Sequence, residues 1–122
     1  MMNTVAHRFL FTAALAGLIA MTWRLEIAIT GDMRFAPAQS ILLFAGWISL
    51  AIFGFYYRVV PRAASGMAAH IHYALSVAAV ALVTAGLVLV DSGRGYGILS
   101  LGVAGCFASM LFFIGTMWVH RP

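Results

Sequence analysis

The chain contains no lysine, one cysteine, three prolines and three acidic residues in 122 positions. Each shortage excludes something. Without lysine there is no amine to form a Schiff base, so retinal chemistry is ruled out. Cys106 alone makes neither an intrachain disulfide nor a thiolate metal site, and its apolar surroundings read it as a small buried hydrophobe. Glu26, Asp32 and Asp91 stand against seven arginines, and charged residues reach only 8% of the chain. A soluble domain of this size carries about 25%, because water must wet its surface. The arginines are scattered rather than clustered, so the net charge of +4 builds no phosphate-binding stripe and gives no nucleic-acid partner.

What is present is hydrophobicity: 64% of residues are apolar and the mean hydropathy is +1.03. With so little charge, the solvent for most of the chain is the lipid bilayer. Crossing a hydrocarbon core takes about 20 apolar residues at a rise of roughly 1.5 Å each. Four segments meet that length, at about residues 9–29, 37–59, 66–90 and 97–119. Gly31-Asp32, Pro61-Arg62 and Asp91-Ser92-Gly93-Arg94-Gly95 break them. Pro37 suits a first helical turn, where its missing N–H costs nothing. Loops this short make consecutive helices antiparallel neighbours, predicting a single all-α transmembrane domain over 1–122, a four-helix up-down bundle.

Trp23, Tyr56, Tyr57, Tyr96 and Trp118 fall near span ends, as an interfacial aromatic belt does, and Trp47 lies inside the second span. Ala14-Leu15-Ala16 has the form of a signal-peptide cleavage site, but the apolar stretch before it is too short for one and the hydrophobicity runs on past it. The termini and the middle loop carry Arg8, Arg58, Arg62 and Arg121, against Arg24, Arg34 and Arg94 on the other side. That excess puts the termini in the cytoplasm. Ala13 and Gly17 on the first span, and Ser100, Ala104 and Ala108 on the fourth, are the small residues expected at helix contacts.

The candidate chemistry is histidine. His7, His70, His72 and His120 all fall toward the membrane face that holds the termini. His70 and His72 lie roughly 6 and 9 Å along the third span from its start, and point about 200° apart, so they cannot chelate one metal together. As imidazoles inside or near the membrane they are candidates for heme or metal, with a hydrated interfacial role as the plainer alternative. Met67, Met110 and Met117 would be soft ligands for copper(I), or simply apolar filler. Glu26, with Arg24 two residues away, is the acid nearest membrane depth, which is little for a proton pump. Broken helices and midplane polar groups, the marks of a transporter, are missing from the pattern.

The run Ala36-Pro37-Ala38-Gln39-Ser40-Ile41-Leu42-Leu43-Phe44-Ala45-Gly46-Trp47, followed by Gly54-Phe55-Tyr56-Tyr57-Arg58-Val59-Val60-Pro61, resembles the second helix of heme-copper oxidase subunit I, in the flavour of the nitric oxide reductases. It resembles still more a group of short four-helix bacterial membrane proteins related to that subunit. The resemblance spans about a quarter of the chain, residues 30–61. It implies a fold like one four-helix repeat of a twelve-helix subunit, hence a homo-oligomer, with a trimer rebuilding the ring, in a bacterial inner membrane. It further implies a respiratory, electron-transfer-associated protein holding b-type heme. Gln39 and Ile41 stand where the short proteins carry histidines. Ala69-His70-Ile71-His72-Tyr73 looks like the two-histidine segment of the family's tenth helix, though on a span antiparallel to the one matched first. The expected ligand is therefore His72, with His70, His7 or a neighbouring subunit giving the second imidazole. No copper ligand set is visible, so oxygen or nitric oxide reduction by this chain alone is not expected. The alternative is a cofactor-free structural or assembly subunit of a larger membrane complex.

Overall fold

The structure, a computed structural model, describes residues 4–122. Four long helices account for almost all of them, and there is no strand among the described residues. They are α1 (Thr4–Thr30), α2 (Ala36–Val59), α3 (Met67–Val90) and α4 (Tyr96–Val119), each long and apolar enough to cross a membrane. The chain is a multi-pass integral membrane protein. The first span starts earlier than predicted, so His7 and Arg8 sit on the first turns of α1 rather than ahead of it. Pro37 does occupy the first turn of α2.

Glycines set the antiparallel packing, because they let one helix approach another closely. Between α1 and α2, Gly17 meets the ring of Trp47, Gly46 meets Ala16, and Gly54 meets Phe9 and Leu10. Trp47 is thus a packing residue placed mid-span because Gly17 leaves room for it. It lies within Leu42–Ser49, where the turns of α2 widen to a π-helical pattern and the Ser49 hydroxyl donates to Phe44 O. Between α3 and α4, Gly86 abuts Leu99, Gly102 abuts Val83, and Gly105 abuts Ala79.

Ala13 and Gly17 are buried as expected. On α4 the expectation fails: Ser100, Ala104 and Ala108 are exposed, and Gly102, Gly105 and Ser109 make the contact instead. Both sets repeat at helical spacing, and a helix apolar on every side gives no sequence signal for which one turns inward.

The largest buried cluster lies in the half of the bundle nearest the termini, around Phe9, Leu50, Phe53, Tyr57, Ala69 and Phe113. Tyr57 therefore belongs to the core and not to the interfacial belt, because one residue's rotation turns it toward α3 while Tyr56 stays half-buried. At the opposite end, buried Gln39 donates from Nε2 to Ala20 O at 3.0 Å, tying the start of α2 to α1. There Arg34 pairs with Asp32 at 3.2 Å and approaches Asp91 at 3.9 Å, joining two loops.

Candidate functional site

His72 is fully buried, at 0% exposure, in the second turn of α3. Its neighbours come from all three other helices. On one side of the ring, Tyr57 Oη of α2 lies 2.8 Å from Nδ1. On the other, Ser109 Oγ of α4 lies 3.2 Å from Nε2, and Ser109 in turn lies 2.5 Å from Ser76 Oγ. Rings close the remaining space. Phe112 stacks on the imidazole at 5.0 Å with 7° between planes, and Phe53 sits at 4.7 Å. Phe9 of α1 completes the enclosure at 5.4 Å. Nearby, Thr12 and Tyr73 share a hydrogen bond of 2.7 Å that links α1 to α3.

A neutral imidazole has one donor and one acceptor nitrogen, and a hydroxyl can serve either. Two arrangements satisfy the ring. In one, Tyr57 donates to Nδ1 and Nε2–H donates to Ser109, which donates onward to Ser76. In the other every donor reverses. In both, no ring nitrogen is left over, which is what an apolar medium demands of a buried polar group.

The other predicted ligands lie elsewhere. His70 is half-buried and turned away from His72 on the same helix, in keeping with the 200° offset. His7 is exposed and stacks on Phe11 at 6.2 Å. His120 folds back at the end of α4, with Nδ1 3.0 Å from Thr116 O. Met67, Met110 and Met117 are exposed, as are Arg24 and Glu26. No group of three or more His, Cys, Asp or Glu side chains able to hold a metal exists among the described residues.

Heme at His72 is what the resemblance implies. Axial ligation needs a free imidazole nitrogen, and both nitrogens of His72 are held by hydroxyls. The cavity beside Ser76 and Ser109, walled by Ser49, Phe53 and Cys106, has a volume of about 80 Å³. Sites for ligands much smaller than a porphyrin run to roughly 300–1,000 Å³. The residues around His72 do not fit the group as they are packed.

Tyr57, Ser76 and Ser109 are the members of this site that sequence reasoning missed. Ser76 lies four residues after His72, on the same helix face, and that spacing is a signal the sequence did offer. Nothing in the sequence pairs Ser109 or Tyr57 with it. Comparison with protein-family models, curated proteins and solved structures finds no match.

Proposed function

We propose that this chain is a cofactor-free membrane subunit that acts by packing against another transmembrane helix, with the His72 network holding its own four helices together. One observation carries the reading: His72, the deepest predicted ligand, has both ring nitrogens engaged by hydroxyls of neighbouring helices and aromatic rings around it. Heme ligation would require His72 to give up one of these hydrogen bonds, whereas a structural histidine uses both.

The outer side of α4 supports the packing role. Ser100, Ala104 and Ala108 form a stripe of small residues on its exposed surface. Small residues let helices approach closely in lipid, where no hydrophobic drive exists. The partner on this reading is another copy or a larger membrane complex. The likeness to one repeat of the oxidase large subunit makes a trimer the expected size of a self-assembly, and a bacterial inner membrane the expected location. The arginine excess at the terminal face gives cytoplasmic termini.

Two measurements test this. Protein purified after expression with ample heme is expected to show no Soret absorbance, oxidised or dithionite-reduced; a band lost in His72→Ala would replace this reading with the heme-binding one. Ala104→Cys in a Cys106→Ser background is expected to cross-link in native membranes. Monomer alone after oxidation would remove self-assembly through this stripe.

A further inference from the structure

The bundle is electrically lopsided. At the end formed by the loops after α1 and α3, Arg24, Arg34 and Arg94 are matched by Glu26, Asp32 and Asp91. The chain's net charge of +4 therefore sits at the other end, on Arg8, Arg58, Arg62 and Arg121, all exposed. No carboxylate side chain accompanies them among the described residues.

At that end Arg62, in the short helical turn Pro61–Ala64, reaches across to the end of α4. Its Nη2 donates to His120 O at 2.5 Å and lies 3.5 Å from Arg121 O. The Arg121 guanidinium lies over the Trp118 ring at 4.1 Å. A guanidinium has five donors in a planar fork, and these carbonyls use only Nη2 of Arg62. Directly beside His120, a groove of about 360 Å³ runs between α3 and α4, walled by Ala68, Phe112, Gly115, Thr116 and Val119. Its walls are almost wholly apolar and it opens on the outer surface of the bundle, where Ala68, Gly115 and Val119 are exposed.

We propose that this groove and Arg62 at its rim bind an anionic phospholipid, with an acyl chain along Gly115 and Val119 and the phosphate against the guanidinium. The groove supplies what a hydrocarbon chain needs, and the rim supplies fixed positive charge with no acidic side chain to compete. Basic pockets between transmembrane helices select anionic headgroups by this combination, and guanidinium suits phosphate geometry. A water-soluble phosphate compound would gain nothing from the apolar walls. The groove and the Ser100–Ala104–Ala108 stripe share a face of α4 but lie at different depths, Gly115 being about 10 Å nearer the terminal end than Ala108.

The test reconstitutes the full chain in vesicles of equimolar phosphatidylcholine and phosphatidylglycerol and counts retained lipids by native mass spectrometry. Wild type is expected to retain phosphatidylglycerol over phosphatidylcholine, and Arg62→Gln to lower that ratio about fivefold. Gly115→Leu is a second, independent arm: a Cβ there meets nothing within 4 Å, so the fold is kept while the groove is filled, and bound lipid is expected to fall. Arg94→Gln, at the opposite end, is expected to leave the ratio unchanged. Equal retention of both lipids by wild type would overturn the proposal. So would a ratio indifferent to Arg62→Gln in a folded variant, an equal loss in Arg94→Gln, unchanged retention in Gly115→Leu, or displacement of the lipid by inorganic phosphate. If Arg62→Gln fails to fold, Gly115→Leu decides.

Discussion

The hydroxyl of Tyr57 lies 2.8 Å from Nδ1 of His72, joining α2 to α3 inside the bundle with both side chains at 0% exposure. In hydrocarbon an unpaired ring nitrogen has no water to turn to. This contact is therefore a lock between helices, and removing the Tyr57 hydroxyl leaves Nδ1 of His72 stranded.

Tyr57→Phe keeps the ring but removes the hydroxyl facing Nδ1, which is expected to cost about 1–3 kcal/mol. His72→Ala loses the whole buried ring and is expected to cost about 3 kcal/mol or more. Both are read as a lowered midpoint when dodecyl sulfate is titrated into the detergent-solubilised protein and helicity is followed by circular dichroism. Wild-type midpoints for both would show that the network holds nothing together.

Gly102 and Gly97 make a matched pair on α4. A Cβ on Gly102 would sit 2.4 Å from Val83 N and 2.7 Å from Val83 Cα, both backbone atoms that cannot swing aside. Gly102→Ala is expected to push α4 off α3 at a cost of about 1–3 kcal/mol. At Gly97 a Cβ meets nothing within 4 Å, so Gly97→Ala is expected to leave the unfolding midpoint unchanged or slightly higher. Equal midpoints for the two variants would contradict the close α3–α4 approach.

Thr84 carries the opposite problem. Its buried Oγ1 has no hydrogen-bond partner, alone in this among the described side chains. Thr84→Val keeps the shape and removes the unsatisfied hydroxyl, a change that is neutral or stabilising. The expected result is a thermal midpoint at or above wild type; a clear drop would mean that the hydroxyl has a partner in the membrane.

In the loop between α1 and α2, the Asp32 carboxylate accepts from the backbone N–H of Arg34 at 3.0 Å and pairs with its guanidinium at 3.2 Å. The backbone bond, then the guanidinium, hold the carboxyl below the usual carboxylate range. A lowered native value means that the stabilisation is present above the ordinary carboxylate pKa and lost as pH falls through the native one. Because the pair is exposed, the effect on stability is small. Carbon-13 chemical shifts of the Asp32 carboxyl are expected to titrate at low pH in wild type and somewhat higher in Arg34→Ala, which keeps the backbone bond. An unchanged titration would show that the side-chain pair contributes nothing.

Composition and loop length carried the architecture. Residues with so little charge and four apolar runs of spanning length have one stable arrangement in lipid, since every backbone group must be paired within its own helix. Pro37, Gly31 and the Asp91–Gly95 break told where spans start and stop, because those residues obey local backbone rules. The first span was legible but not its start: Thr4 to Arg8 are polar or mixed, and they became helical through burial of Val5 and Ala6 against the core.

Helix rotation was decided by the tertiary structure alone. In water, polar and apolar faces tell a reader which side of a helix turns inward. Here each helix is apolar all round, so that signal is erased, and the choice falls to close packing at Gly17, Gly54 and Gly102. That choice turned His72 toward Tyr57 and Ser109, so that hydroxyls face both of its ring nitrogens, and left Ser100 and Ala104 on the outer surface of the bundle.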